Sequence, residues 1–189
     1  MSALPKVNGF FTYADYKNWE LAEGDRYELL DGEAFAMAAP DAYHQAILTE
    51  LVIQIGVYLR GKACKVYPAP YDVRPFYAED ESDNVVVQPD ITVVCDEKKR
   101  GKAGCLGAPD LVVEVLSPSN SAIEMQRKFD IYRESGVREF WVVNPTYKTL
   151  SAYIFSNDTV LLRTYRQNDV VKPHIFPDLE IQLEPVFAE

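Results

Sequence analysis

The 189-residue chain has few of the residues that usually build metal centres or disulfide scaffolds: two histidines, His44 and His174, and three cysteines, Cys64, Cys95 and Cys105. Two histidines leave little room for a histidine-rich metal site. The three cysteines are widely spaced and form no CxxC pattern, so we expect three reduced thiols in a cytoplasmic protein.

Long apolar runs are also missing. No stretch of about 18 consecutive apolar residues occurs, so we expect no membrane-spanning helix. Residues 1–8 contain no apolar core of a secretory signal, which agrees with a cytoplasmic protein. The length fits a single domain over residues 1–189 with a sizeable core, and no internal repeat or linker divides it.

Basic residues are fewer than acidic ones. The 19 Lys and Arg residues against 29 Asp and Glu residues give a formal net charge of −10. This balance argues against a protein that coats nucleic acid non-specifically. It is compatible with a nuclease, because a metal-dependent active site is itself acidic and phosphate contacts are local.

One apolar segment, residues 109–117, contains a carboxylate. Its short β-branched run between Pro-Asp and Ser-Pro predicts a strand that is buried on both faces of a mixed or parallel sheet. Glu114 lies in the middle of this run. A buried carboxylate must be protonated, paired or bound to a metal, because leaving it unpaired is costly. Two interpretations stay open for Glu114: an ion pair with a buried arginine, and a metal ligand.

The remaining patterns predict an α/β (α+β) fold. Apolar residues at helical spacing predict a long helix over residues 41–60, and a capping box at 121–124 opens a helix over 122–135 that ends at a glycine. Asp-Gly at 31–32 predicts a β-hairpin. Further strands are expected at 26–30, 33–37, 85–94, 139–144 and 149–155. These elements predict a mixed central sheet flanked by helices, with additional β-hairpins.

Two more carboxylates lie on predicted strands. Asp90 interrupts the β-branched run 85–94, and Glu28 lies on the first strand of the hairpin. Carboxylate oxygens suit Mg²⁺ or Mn²⁺, and Mg²⁺ takes only one or two protein carboxylates because it keeps several waters. We therefore predict a metal site at Asp90 and Glu114, with Glu28 as a further ligand that binds directly or through water. Such a metal lowers the pKa of a bound water and stabilises charge on a phosphoryl group.

His44 and Lys128 lie on the two predicted helices. His44 lies in the first turn of the long helix, where the helix dipole lowers the pKa of a histidine. It is either a surface or capping residue or a group near a bound phosphate or substrate. Lys128 borders the apolar stripe of the second helix. It is either a snorkelling surface residue or a cation that the helix returns to the middle of the Glu114 strand.

Together these segments resemble the Uma-two family of restriction-endonuclease-like proteins, a branch of the PD-(D/E)XK nuclease superfamily. The resemblance covers nearly the whole chain. The matching stretches are Tyr27–Glu33, His44–Gln45, Pro89–Ile91, Pro109–Ser119, Lys128, Tyr132 and Gly136–Pro145.

The resemblance implies a restriction-endonuclease-like fold and a nuclease site in which Asp90 is similar to the aspartate of the PD motif and Glu114 to the acid of the (D/E)XK strand. The superfamily lysine stands two residues after that acid, where this chain has Leu116. Lys128 is the candidate replacement. We therefore expect Asp90, Glu114 and Lys128 to be catalytic, with support from the three residues Glu28, His44 and Tyr132.

The function that follows is a Mg²⁺- or Mn²⁺-dependent endonuclease that hydrolyses phosphodiester bonds of DNA, with RNA as the other nucleic-acid substrate. Superfamily nucleases often pair to cut two strands, so a homodimer is expected. The alternative is a catalytically inactive module of nuclease fold that binds nucleic acid or protein. Leu116 and the net charge favour the inactive module, and the carboxylates favour the enzyme.

Overall fold

A computed structural model describes residues 9–117, 121–156 and 159–188, so the expectation for residues 1–8 lies outside the described residues. In these ranges the chain forms the helices α1 (Tyr13–Tyr16), α2 (Ala42–Leu59), α3 (Ala122–Ser135) and α4 (Leu183–Val186), and a 3₁₀ turn at Glu97–Lys99. The strands are β1 (Tyr27–Leu30), β2 (Glu33–Ala36), β3 (Lys65–Pro68), β4 (Asp72–Arg74), β5 (Ile91–Val94), β6 (Gly104–Leu106), β7 (Leu111–Val115), β8 (Glu139–Asn144), β9 (Thr149–Ser156), β10 (Thr159–Arg166), β11 (Val170–Val171) and β12 (Ile181–Gln182).

A six-stranded mixed sheet forms the centre of the molecule, in the order β10-β9-β8-β7-β5-β3. Only β7 and β8 pair in parallel, and every other neighbouring pair in this sheet is antiparallel. Parallel neighbours need a crossover, and α3 supplies it between β7 and β8. The predicted mixed sheet with flanking helices and additional hairpins is confirmed.

Strand β7 is buried along its whole length. Its odd-numbered residues Leu111, Val113 and Val115 belong to the core on the side of α2, whereas Val112 belongs to the core on the side of α3. Side chains alternate between the two faces of a strand, so Glu114 points to the same side as Val112. The alternation therefore directs the Glu114 carboxylate towards α3.

Both long helices begin and end where the sequence predicts. The Asp41 side chain caps α2 by accepting a hydrogen bond from the His44 backbone N–H at 2.8 Å. The Ser121 hydroxyl caps α3 through the N–H of Glu124 at 3.1 Å. Gly136 ends α3 with a φ of 92°, a left-handed conformation that glycine adopts at little cost.

The prediction of one long strand over residues 85–94 is wrong for the first half of that range. Only Ile91–Val94 forms a strand of the main sheet, whereas Val86 and Val87 make single bridges to Leu29 and Val73. The chain thus leaves the main sheet before β5 and passes the β1–β2 hairpin. As a result, Asp90 lies one residue before β5 rather than within a strand.

The prediction of three reduced cysteines is wrong for two of them. Cys64 and Cys95 form a disulfide, with Cα atoms 3.8 Å apart and a sequence separation of 31. They flank the paired strands β3 and β5, where the register Lys65↔Val94 makes them the next opposite pair. Cys105 is a buried free thiol. The pairing depends on strand register, which spacing in the sequence does not show.

None of the helices within the described ranges combines the length and the apolar character that a membrane crossing requires.

Candidate active site

The register of the main sheet brings Asp90 beside Glu114. Strands β5 and β7 are antiparallel with Ile91 opposite Val113, so Asp90, one residue before β5, lies beside the end of β7. Asp90 and Glu114 line the same cavity. The Asp90 Oδ2 atom also accepts the backbone N–H of Val115 at 2.7 Å, which ties the residue to the end of β7.

Glu114 is held by two side chains of α3. Its Oε1 atom lies 3.1 Å from the Lys128 Nζ and accepts a hydrogen bond of 2.6 Å from the Tyr132 hydroxyl. Lys128 is 2% exposed and Tyr132 is fully buried, so the snorkelling interpretation of Lys128 is wrong. Glu114 does form a buried ion pair, but its partner is this lysine rather than an arginine. Positions 128 and 132 are one helical turn apart and face the same way.

Glu28 is the second carboxylate bound to Lys128. Its Oε2 atom lies 2.9 Å from the lysine Nζ, and its Oε1 atom accepts the Gln88 backbone N–H at 2.8 Å. Both oxygens of Glu28 are therefore engaged by the protein. One ammonium group is shared between two buried carboxylates, Glu28 and Glu114.

His44 connects the start of α2 to the end of β7. Its Nε2 atom donates a hydrogen bond to the Val115 carbonyl at 3.1 Å and lies 3.3 Å from the Asp90 Oδ2. The residue is 7% exposed, so it is not a surface histidine. Burial lowers the pKa of His44. The hydrogen bond and the charge of Asp90 raise it by more than burial lowers it, so the net pKa of His44 is raised. The expected lowering by the helix dipole is wrong because the carboxylate is closer and carries a full charge.

The pKa values follow from three carboxylates around one ammonium group. The pKa of Glu114 is raised to about 7. Burial is the largest cause; the Lys128 charge opposes the shift, and the charges of Glu28 and Asp90 add to it. The pKa of Lys128 is raised, because the attraction of the two carboxylates outweighs the cost of burial. Burial also raises the pKa of Tyr132, with Glu114 adding to the shift. Lys128 is thus a permanent ammonium ion at neutral pH.

A small cavity of about 100 Å³ opens beside this network. All three predicted metal-binding carboxylates line it, together with His44 and Lys128. The structure therefore brings five of the six predicted site residues to one cavity. The sixth, Tyr132, lies behind Glu114 and touches it from the buried side.

The donor set fits a divalent cation with two protein carboxylates and does not fit one with three. Within residues 9–117, 121–156 and 159–188, no group of three or more His, Cys, Asp or Glu side chains is arranged to hold a metal ion. Both oxygens of Glu28 are engaged, which excludes it as a direct ligand in this arrangement. Asp90 contacts described residues through its Oδ2 atom only, and Glu114 through its Oε1 atom only. The Oδ1 atom of Asp90 and the Oε2 atom of Glu114 are therefore left for a cation.

Sequence analysis missed two residues of the site, Arg26 and Gln88. Gln88 is 8% exposed, and its backbone N–H orients Glu28. Its side-chain Nε2 donates to Asp72 at 2.8 Å. Arg26 lines the cavity. The signal for Arg26 was its position two residues before Glu28, since residues i and i+2 of a strand share a face. No sequence pattern distinguishes Gln88.

Comparisons with known proteins agree with this architecture. A structure from Anabaena variabilis, described as a putative nuclease belonging to DUF820, matches with a TM-score of 0.74 and 18% identity, over 94% of this chain and 97% of that chain. This likeness shows the fold: the chain is a nuclease-fold protein. An uncharacterized protein of Synechocystis sp. is 26% identical over 157 residues, which are 82% of this chain and 80% of the relative.

The family is shown by a model that matches most of the chain. The Uma2 model, described as "Putative restriction endonuclease", matches residues 13–184. The chain belongs to this family. The match includes all six predicted site residues and both elements, β7 and α3, that supply the Glu114–Lys128 pair.

Proposed function

We propose that this protein is a metal-dependent endonuclease that hydrolyses phosphodiester bonds of DNA. The observation that carries the proposal is the convergence of Asp90, Glu114 and the buried Lys128 at one cavity. Four carboxylates, Glu28, Asp90, Glu114 and Glu124, line the cavity against two cations, Arg26 and Lys128, and this excess of acidic groups suits a divalent cation. Family membership supports the reaction class, and the nature of the nucleic acid is part of the proposal.

Asp90 and Glu114 would hold Mg²⁺ or Mn²⁺ through the oxygens that the protein leaves open. When bound, the cation supplies a Lewis acid that lowers the pKa of a water and neutralises charge on the phosphoryl group. Tyr132 fixes the Glu114 carboxylate from behind through its 2.6 Å hydrogen bond. Val115 and His44 fix Asp90 in the same way, through its Oδ2 atom.

Lys128 contributes a fixed positive charge. Because its pKa is raised, it does not serve as the general base that removes a proton from water. Its ammonium group instead donates hydrogen bonds and stabilises the negative charge that develops on the phosphorane-like transition state. Glu28 acts as a positioning residue, since it holds the lysine from the side opposite Glu114. Lys128 thereby takes the place of the motif lysine, whose position, directly after β7, is occupied by Leu116 in this chain.

Plasmid nicking tests the proposal. Wild-type protein should nick supercoiled DNA in Mg²⁺ or Mn²⁺ and should be inactive in EDTA. Asp90→Asn keeps the size of the side chain and removes its charge, and should reduce cleavage by at least about 100-fold, as expected when a group that stabilises the transition state is lost. Asp178→Asn is the matched control, because Asp178 is exposed and does not line the cavity. Equal cleavage by Asp90→Asn and wild type contradicts the assigned site.

The second candidate is a catalytically inactive module that binds nucleic acid or protein. Two observations favour the inactive module. The described residues contain no cluster of three metal-binding side chains, and the Glu114–Lys128 pair is complete without a metal. Wild-type protein that binds DNA but does not cleave DNA or RNA in Mg²⁺ or Mn²⁺ establishes this module. Parallel assays with DNA and RNA of the same sequence identify the substrate of an active enzyme. We further propose that the protein works as a cytoplasmic homodimer.

A further inference from the structure

Arg26 lies on the same face of the β1–β2 hairpin as Glu28. The Met37 backbone N–H donates to the Arg26 carbonyl at 2.9 Å, which continues the pairing of Tyr27 with Ala36 by one residue. Arg26 therefore has extended, paired backbone, and alternation directs its side chain to the side where Glu28 meets Lys128. Arg26 is half-buried, and Glu28 is 1% exposed, so Arg26 is nearer to solvent.

The guanidinium of Arg26 makes no hydrogen bond or ion pair with any residue that the structure describes. Lys128 and the half-buried Arg127 each pair with a carboxylate, at 2.9 Å in both cases. Arg26 lines the active-site cavity and also a neighbouring cavity of about 300 Å³, and Asp90 lines both. A half-buried guanidinium with five N–H donors and no acceptor among the described residues is suited to bind an external anion.

The surroundings of Arg26 allow a polymer backbone to approach. Three exposed alanines, Ala36, Ala38 and Ala39, line the active-site cavity together with Arg26. Small side chains leave space that longer ones would fill, so these positions obstruct the approach of a polymer backbone little.

A phosphodiester that enters this cavity meets strong negative charge. Four carboxylates, Glu28, Asp90, Glu114 and Glu124, line it, and Lys128 is already shared between Glu28 and Glu114. Before a metal binds, a cation that these carboxylates do not engage favours the entry of a phosphate, because like charges repel more strongly in a half-buried site than in water. Arg26 is the cation at the mouth of the cavity, and its planar fork matches two phosphate oxygens.

We propose that Arg26 forms an anion subsite that binds a backbone phosphate of the nucleic acid beside the carboxylates. The inference rests on the proposed function for the identity of the anion as a phosphodiester. In an active enzyme the subsite holds the strand in place for attack at the phosphate near Asp90 and Glu114. In an inactive module it supplies the binding contact itself.

Binding of a short fluorescein-labelled DNA duplex in EDTA, followed by fluorescence anisotropy, tests the subsite without cleavage. Arg26→Met should weaken binding roughly 10- to 100-fold, the value of one charge-assisted hydrogen-bonding contact, and should lower the salt dependence of log K by about 1. Arg127→Met is the matched control, because it removes the same charge from an arginine outside the cavity. Arg26→Gln, which retains a polar side chain, provides a second variant if Arg26→Met does not fold.

The subsite is overturned if wild-type protein does not bind the duplex. It is also overturned if folded Arg26 variants bind within about twofold of Arg127→Met, which is less than one charged contact is worth. Cleavage in Mg²⁺ separates this result from the proposed function. Wild-type protein that binds through Arg26 and does not cleave leaves the subsite standing and refutes the endonuclease. Cleavage that is unaffected by Arg26→Met, with unchanged KM, refutes the subsite alone.

Discussion

Replacing Lys128 by methionine removes one ammonium group from a site where it meets two buried carboxylates. Methionine has nearly the same length, so the packing of α3 against the sheet changes little. Glu28 keeps only its contact with the Gln88 N–H, and Glu114 keeps only that with the Tyr132 hydroxyl. Both carboxylates are less than 10% exposed, so water does not replace the lost partner.

The expected loss of stability is large at alkaline pH. Removing one partner from a buried ion pair costs about 3–5 kcal/mol, because the remaining charge is left uncompensated. At pH 8, which is above the folded-state pKa of Glu114, the variant leaves the charge of Glu114 without its ammonium partner. Lys128→Met should therefore lower the free energy of unfolding by about 3–5 kcal/mol at pH 8.

The loss of stability should be smaller at acidic pH. The direction of this pH dependence follows from the pKa of Glu114. This pKa is raised from 4.5 to about 7 in the folded protein. A raised folded-state pKa contributes stability that is complete below the unfolded-state value and is lost as the pH rises through the folded-state value. At roughly 1.4 kcal/mol per pKa unit, the shift of Glu114 alone amounts to about 3 kcal/mol. Without Lys128 this pKa rises further. At pH 5 Glu114 is then neutral in both proteins, so the deficit should fall to roughly half.

Urea unfolding at pH 8 and pH 5, followed by the fluorescence of the fully buried Trp141, measures both values. Arg127→Met is the control on the same helix. The side chains of its ion pair are partly solvent-accessible, with Arg127 33% and Glu33 61% exposed. Removing this pair should therefore lower the free energy of unfolding by less than about 1 kcal/mol. The double variant Glu114→Gln/Lys128→Met removes the stranded Glu114 charge and should be more stable than Lys128→Met at pH 8. A loss below about 1 kcal/mol at pH 8, or a loss independent of pH, refutes the buried carboxylate–ammonium network.

Three further outcomes are expected. Saturating Mg²⁺ or Mn²⁺ should raise the melting temperature of wild type but not of Asp90→Asn, because a ligand that binds only the folded state stabilises it; equal shifts contradict the metal site. Thiol titration of the unfolded, unreduced protein should detect one thiol, Cys105, and three only after reduction; three at the outset contradict the Cys64–Cys95 disulfide. Light scattering should show a dimer that Leu161→Lys converts to a monomer, since Leu161 is 49% exposed on the edge strand β10; a dimer that survives excludes this edge.

The helices and the central strand were predictable because their signals are local. The caps at Asp41 and Ser121 and the glycine after Ser135 act within a few residues of the helix ends they define. The same holds for the β1–β2 turn at Asp31-Gly32. The boundary of β5 was not predictable, because Val86 and Val87 are β-branched like strand residues but pair with segments outside the main sheet.

The residues of the candidate site could be predicted from the sequence, whereas the individual contacts between their side chains could not. A carboxylate in an apolar strand indicates by itself that Glu114 has a partner, since burial without one is too costly. The choice between arginine, lysine and metal depends on which helix crosses back over β7. Glu28 was expected to bind the metal, and its engagement with Lys128 and Gln88 became visible only when the hairpin was placed against the sheet.

The sequence by itself determined which segments become helices and strands, that a carboxylate is buried in the central strand, and that the chain resembles nucleases. Hydrogen-bonding capacity, capping and side-chain alternation are properties of neighbouring residues, so they are present in the linear pattern. Only the tertiary structure decided that Cys64 meets Cys95, that Asp90 binds the Val115 N–H beside Glu114, and that one lysine binds two carboxylates. Those contacts depend on strand register and on the return of α3 over the sheet, and the packing of the whole core selects both.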